Sequence, residues 1–518
     1  MKQDLDLILE GNVITMVNQK PRARAIGIKD GRIAVVGSLN EVKKREGNST
    51  KFIDQKDKTI LPGFIDTHMH PVFTGRVKLG VDLSNVKSLD ETIEKIKDRV
   101  KITPPGKWIL CYRFNRMLIK EKRFPTIKEL DAISTRHPIN IQHYDLHFSI
   151  VNSMAYKLFN ISIGLEGVHK NLKGEPTGLI EDPLSADIMR KVEDLSDEND
   201  RLKAVIAATQ EALKVGITTL HMKEDPHNVK LIIKNKDHIH IRIKPLILLH
   251  PMRLENLDEI ISSDILRDET CIAIISDGSI EARTGAFFEP YTDDLTTLGM
   301  LYYSDEELRH FLEKAHRAGF QISVHCEGDR SIEQVLSMYE KVLKKYPRDD
   351  HRHRIEHFEI PTVEQIKRAA KVGITLAMQP MFIPVAEGSN LEIYRKFLGE
   401  ERTRRSNPFR SILNEGILVA GGSDSPVTLM NPLAGIQACL THPNKDQRIT
   451  LNEAIRLYTI NGAKIGFEEK EKGTIEEGKL ADFVLLSEDP YRVSPEKIRD
   501  INIEMTIIEG KVVYGREK

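Results

Sequence analysis

From Ile217 onward, short apolar runs alternate with amphipathic stretches. The runs are Ile217–His221, Ile241–Ile247, Cys271–Ser276, Gln321–His325, Arg354–His357, Ile374–Met378 and Ile417–Gly422. Between most of them lie 202–215, 305–318, 332–345 and 363–372, where apolar residues recur at helical spacing. Brief apolar runs between polar segments read as buried strands, and a 3.6-residue period reads as a helix with one buried face. A further strand leads from Phe64 to His68, which brings the strands to eight. Repeated strand–helix units predict an α/β chain built on a (β/α)8 barrel.

The chain has 518 residues, more than one barrel needs. Residues 1–62 read as short strands and turns, among them Leu5–Leu9, Val13–Val17, Ala25–Ile28 and Arg32–Gly37, with a hairpin turn at Lys29-Asp30-Gly31. Residues 468–518 carry the complementary strands near Phe483–Leu486 and Ile507–Tyr514. Neither end alone can bury a two-layer core. The expectation is a composite β-sandwich of 1–62 and 468–518, with the barrel in 63–467. The segment from about 76 to 200 is too long for one connection and is expected as an insertion after the first barrel strand, over the barrel mouth.

Barrels of this kind place chemistry at the C-terminal ends of their strands. Here those ends read His68 and His70, then His221, Asp277, His325, His357, Gln379 and Asp424. Asp66, His68 and His70 alternate, so they share one face of a strand. A lone His-X-His is a weak signal, and Asp424 within Gly422-Ser423-Asp424-Ser425-Pro426 fits a plain capped turn. Apolar strands that repeatedly finish in His or Asp point instead to a metal constellation of His68, His70, His325, His357 and Asp424. Without a cysteine cluster, such a set suits Zn, Mn, Fe or Ni. Net charge is −1, from 76 basic and 77 acidic residues, which gives no sign of a nucleic-acid or membrane-surface partner. The four cysteines are scattered, and neither a signal peptide nor a long apolar span is legible. A cytoplasmic protein acting on a small molecule is expected.

Pro62-Gly63-Phe64-Ile65-Asp66-Thr67-His68-Met69-His70 resembles the first metal motif of the amidohydrolase superfamily. The chain is most similar to its branch of YtcJ-like proteins and N-substituted formamide deformylase. The matching segments include Asp145-Leu146-His147, Gly174–Glu181, Asp277–Gly285, Arg354-Ile355-Glu356-His357, Gln379-Pro380, Gly422–Pro426 and Gly478–Asp482. The resemblance implies the barrel and the two-ended sandwich independently. It implies metal ligation by His68, His70, His325 and His357, with Asp424 as last-strand ligand and proton carrier and His357 as a further catalytic group. Asp145, His147, Glu181, Asp277, Arg283 and Gln379 become candidate substrate contacts. The cofactor expected is a divalent ion, zinc first, and relatives suggest a homodimer. The expected reaction is hydrolysis of a non-peptide carbon–nitrogen bond. Deamination of an amine-bearing heterocycle, and a metal-dependent isomerase or decarboxylase, are the alternatives.

One departure bears on the ion count. Relatives carry a lysine four residues before Asp-Gly-Ser, where it bridges two metal ions, but Ala273 stands there. A methyl ligates nothing, so one ion is favoured, on His68, His70, His325 and Asp424. Lys223, Glu181 and Glu281 are substitutes to consider, and Lys223 and Glu281 read as ordinary surface charges. Cys326 reads as buried and inert, while Glu327 is open between substrate and solvent. His351-Arg352-His353-Arg354 reads as a solvated turn. Trp108, Tyr112, Phe114 and Arg116 fit either the entrance or the core of the insertion.

Overall fold

A computed structural model describes residues 4–143, 148–165, 167–181, 184–194, 197–249, 256–266, 271–385 and 391–515. It contains an eight-stranded parallel sheet in chain order: β1 (Phe64–Met69), β2 (Ile217–Glu224), β3 (Arg242–Leu248), β4 (Cys271–Ile275), β5 (Gln321–Cys326), β6 (Arg354–His357), β7 (Thr375–Met378) and β8 (Val419–Gly421). Each strand pairs in parallel with the next. The ring is nearly closed where β8 returns to β1. There Asp424 N–H donates to the His68 carbonyl at 2.7 Å, and His70 N–H donates to that of Ser425 at 3.0 Å. Gly422 makes the approach possible, because a Cβ there would sit 2.8 Å from the His68 Cβ. The (β/α)8 barrel expected from the sequence is present.

The helices follow from local chemistry. Asp305–Arg317 starts at a capping box of Ser304 and Glu307 and buries Leu308, Phe311, Leu312 and Ala315 on one face. Val363–Val372 has the same start, from Thr362 and Gln365, and ends at Gly373 in the left-handed conformation that glycine adopts freely. No helix among the described residues is long and apolar enough to cross a membrane.

Strands from both chain ends join in one seven-stranded sheet. Lys51–Pro62 lies between Leu7–Ile14 and Phe483–Leu486. Its core draws on both ends, with Leu9, Ile26, Ile60, Phe483, Leu485 and Ile507 among its buried members.

The chain divides into two compact units, residues 1–71 with 209–518, and residues 72–208. The second unit contains a six-stranded sheet. Tyr112 and Phe114 are buried in it and Trp108 stacks on Phe159 at 5.1 Å, so these residues form local core. Arg116 sits over the Phe124 ring.

Two expectations fail on burial. His351, His353 and Arg354 are buried rather than solvated. His353 Nε2 pairs with His316 Nδ1 at 2.9 Å, and Arg352 binds Glu469 at 2.8 Å. The run is polar in composition, but its side chains find partners in neighbouring elements. Lys223, expected on the surface, is 2 % exposed. β2 runs three residues past His221, and the period of two turns Lys223 inward with it.

Candidate metal centre

β1 and β8 deliver the central group. Asp66 is buried, and its Oδ1 accepts from the backbone N–H groups of His68 at 3.1 Å and Ser423 at 3.0 Å. It thus ties the two strand ends together. Burial raises its carboxyl to about 6 despite these donors. Beyond it, Asp424 Oδ1 lies 3.1 Å from His68 Nε2 and 3.3 Å from His70 Nε2. Asp424 and His357 hold left-handed backbone angles, with φ of 53° and 66°. Such angles cost on the order of 1 kcal/mol or more and gather at functional sites.

The protons on these rings follow from their other contacts. His70 Nδ1 lies 3.1 Å from the Lys223 carbonyl oxygen, which can only accept, so Nδ1 carries the proton. His68 Nδ1 lies 2.7 Å from Glu356 Oε2, which requires a proton there too. Both Nε2 atoms therefore face the Asp424 carboxylate. Ring nitrogens and a carboxylate that converge on one point are a donor set that a cation satisfies. His357 adds a buried Nδ1 with no hydrogen-bond partner. His68, His357 and Asp424 each offer a ligand atom within 4.8 Å of the others. Two or three imidazoles with one carboxylate fit a borderline divalent ion.

Charge beneath this group is arranged around Glu356, which is fully buried. Its Oε1 lies 2.9 Å from Arg354 Nη2 and accepts from Ser323 Oγ at 2.6 Å. Its Oε2 faces His68 and, at 3.8 Å, Lys223 Nζ. Burial lowers the Lys223 ammonium and Glu356 draws it back up. Burial would raise the Asp424 carboxyl, yet His68 and His70 hold it well below the usual range. His68 runs the other way. Burial and Lys223 disfavour its charge, but Asp424 and Glu356 outweigh them and raise it. Sequence reasoning gave Glu356 no role and weighed Lys223 only to read it as a surface charge, although the alternation of Arg354 with Glu356, and of His221 with Lys223, is the signal that places them inside the barrel.

His325 points elsewhere. Its Nε2 lies 3.3 Å from the Gly278 carbonyl oxygen, 3.7 Å from Asp277 and 3.9 Å from Glu327 Oε1. Its ring is 4.4 Å from that of His357, which also stacks on Phe382. Burial, with Lys223 next, lowers His325 to about 4, and burial with His325 lowers His357 well below the histidine range. Asp277 Oδ2 accepts from Ala286 N–H, Gly328 N–H and Ser331 Oγ, and its Oδ1 accepts from Glu327 N–H. It braces the loops after β4 and β5, and burial pushes its carboxyl up to about 7. Glu327 is buried beside Asp277, Glu281 and Glu359. Burial and these carboxylates raise it well above the usual range.

The remaining candidates are dispersed. Gln379 is buried, with its amide 3.2 Å from His68 Nδ1. Arg283 pairs with Asp293 at 2.5 Å and covers the Phe397 ring. Glu181 is exposed and meets His169 at 2.9 Å. Glu281 is half-buried, not a surface charge, with its Oε1 3.4 Å from the Tyr394 hydroxyl. Asp145 and His147 lie outside the described residues. His221 is buried between Arg354 and Glu468, away from the metal group. Cys326 is fully buried, in keeping with an inert thiol.

Known proteins resemble this chain. The model of the amidohydrolase family matches residues 51–514. YtcJ of Bacillus subtilis, which carries the amidohydrolase name, is 29% identical over 98% of both chains. N-substituted formamide deformylase of Arthrobacter pascens is 28% identical over 100% of this chain and 99% of its own. A solved metal-dependent hydrolase of Pyrococcus horikoshii, itself uncharacterised, superimposes with a TM-score of 0.80 at 23% identity, over 94% of this chain and 99% of that one. This last likeness shows the fold.

Proposed function

We propose that this chain, which belongs to the amidohydrolase family, hydrolyses a carbon–nitrogen bond outside peptides, in an N-substituted amide or formamide-like compound. The observation that carries the reading is the Asp424 Oδ1 set between the Nε2 atoms of His68 and His70 at 3.1 and 3.3 Å. The full-length similarity to N-substituted formamide deformylase supports the substrate class. His68, His70, Asp424 and His357 would hold the ion, zinc by donor type. A divalent ion there supplies Lewis acidity, easing deprotonation of water and polarising a carbonyl. Asp424, held ionised, accepts the proton of the attacking water. As the carbon–nitrogen bond breaks it returns that proton to the leaving nitrogen, which departs as an amine. His68 and His70 keep Asp424 oriented, and Glu356 and the Lys223 carbonyl keep those rings oriented. His357, held neutral, serves as a ligand rather than an acid.

The test is formate and amine release from a panel of aryl and alkyl N-substituted formamides, before and after chelation. Metal-dependent release of both products is expected. Ammonia release from aminopurines, with no turnover of any amide, would replace this reading with deamination.

A further inference from the structure

We infer that His221 is a positioning residue of the metal centre: it holds Arg354 in place, and through Arg354 and Glu356 it sets the ring of His68. The inference rests on reading the group around Asp424 as a metal centre and follows its support down the barrel interior. β2 turns Thr219, His221 and Lys223 inward in succession, and all three are buried. They line a column of alternating charge. Lys472 Nζ lies 3.4 Å from Thr219 Oγ1 and 2.8 Å from Glu468 Oε1. Glu468 Oε2 faces His221 Nε2 at 3.8 Å. His221 Nδ1 lies 3.3 Å from Arg354 Nη1, and Arg354 Nη2 reaches Glu356 Oε1 at 2.9 Å. Glu356 Oε2 completes the column on His68 Nδ1 at 2.7 Å.

The donors fix the direction of these contacts. A guanidinium can only donate, so His221 Nδ1 accepts from Arg354 and the ring proton sits on Nε2, towards Glu468. His221 Nε2 and Glu468 Oε2 have no hydrogen-bond partner among the described residues, which leaves each to the other. Burial lowers His221 to about 4, so the ring is neutral and keeps its Nδ1 lone pair for Arg354. Arg354 is fully buried, and its Nη2 also donates to the Thr67 carbonyl at 2.8 Å, one residue before His68. Its Nη1 has no hydrogen-bond acceptor but His221 among the described residues. A buried donor that loses its acceptor is costly and re-aims towards another. Here re-aiming moves Glu356, the carboxylate on His68 Nδ1. Gly466 lets the segment before Glu468 close on the ring, because a Cβ there would sit 2.9 Å from His221 Cε1. The histidine of β2 thus serves the metal centre through two other side chains rather than by ligation.

The experiment titrates demetallated full-length wild type, His221→Asn, His221→Gln and His221→Leu with Zn2+ by calorimetry at neutral pH, after circular dichroism has shown each to be folded. In His221→Asn the amide oxygen takes the place of Nδ1 and still accepts from Arg354. In His221→Gln the amide reaches the place of Nε2 and leaves Arg354 without its acceptor, as His221→Leu does. His221→Asn should bind Zn2+ within about threefold of wild type, and the other two variants about tenfold or more weakly. Equal affinity in all four proteins, or equal weakening by His221→Asn and His221→Gln, overturns the inference. If the variants do not fold, nuclear magnetic resonance of wild type carrying isotope-labelled histidine decides. His221 in the Nε2–H tautomer, with ring nitrogens that shift when Zn2+ binds, supports the inference. The Nδ1–H tautomer, or ring nitrogens that Zn2+ leaves unmoved, overturns it. The expected order of Zn2+ affinities with no hydrolysis of any carbon–nitrogen substrate would overturn the proposed reaction and leave this role standing. Hydrolysis with equal Zn2+ affinity in all four proteins would do the reverse.

Discussion

Replacing Glu356 by glutamine keeps the shape of the side chain and removes a carboxylate set against both Arg354 and Lys223. Both cations are buried, with the Lys223 side chain 3 % exposed and that of Arg354 1 %. Across the 3.8 Å between Glu356 and Lys223, Coulomb attraction at an effective dielectric near 20 is roughly 4 kcal/mol. The Arg354 contact at 2.9 Å is shorter still. Desolvation offsets much of this attraction while the group is intact. Removing one partner leaves the others uncompensated, which costs about 3–5 kcal/mol. Glu356→Gln should therefore lose about that much stability in urea unfolding of the demetallated protein. Far-UV circular dichroism is the probe, because it follows the loss of the barrel's helices directly. Adding Lys223→Met should recover part of the loss, with a coupling of about 1–3 kcal/mol. His68 also loses the carboxylate at its Nδ1, so metal affinity should fall about 10–100-fold. A loss under about 1 kcal/mol, or strictly additive effects in the double variant, would refute the reasoning.

Asp424→Asn should lower kcat/KM for formamide hydrolysis by about 10²–10⁴, and a loss under about tenfold would remove Asp424 from proton transfer. Asp277→Asn sets an amide N–H₂ against backbone N–H groups that now donate to a carboxylate. It should cost about 2–4 kcal/mol in urea unfolding, and a neutral result would show that Asp277 does not brace the loops. Burial opposes ionisation of Glu468, but His221 and Lys472 hold its carboxyl at about 2, below its ordinary 4.5. A depressed acid stabilises the fold above its unfolded value. That contribution, at most about 3 kcal/mol, should be lost as pH falls from about 4.5 towards 2, and Glu468→Gln should flatten the acid limb of stability against pH.

The barrel was legible because each strand carries its own apolar run, and burial on both faces leaves that run uninterrupted. The two-ended sheet was legible because neither set of strands can close a core alone. Within the candidate site, the residues at strand ends were named from the sequence, since the barrel rule says where to look. What escaped was the layer beneath them. Lys223 and Glu356 are charged, and charge in a sequence reads as surface unless a partner is known. Each becomes tolerable inside because partners compensate it, and the two stand 3.8 Å apart on different strands, a distance that no local pattern encodes. Glu327, left open between substrate and solvent, could not be placed for the same reason. Its neighbours Glu281 and Glu359 follow other strands and meet it only once the barrel closes.

The layer of charge also fixes the protonation of the ligands, which yields a last prediction. Metal ligation requires imidazole without its second proton. Burial, with Lys223 adding to it, keeps His325 at about 4 and His357 neutral, so neither holds a proton to release near neutrality. His68 differs, because Glu356 at 2.7 Å and Asp424 at 3.1 Å both favour its charged form and raise it above 6.5. In the demetallated protein a proton on Nε2 stands in for the cation. An ion entering between His68 and Asp424 must displace it. Calorimetric titration with Zn2+ below pH 6.5, repeated in buffers of different ionisation enthalpy, should therefore show release of about one proton for this step. Release should fade as pH rises well above 6.5, because His68 is then already neutral. It should be absent in Asp424→Asn and Glu356→Gln, where His68 loses an anion that raises it. Binding without proton release in the wild-type protein below pH 6.5 would mean that the His68 Nε2 lone pair is already free, and that the proton does not hold the place of the ion.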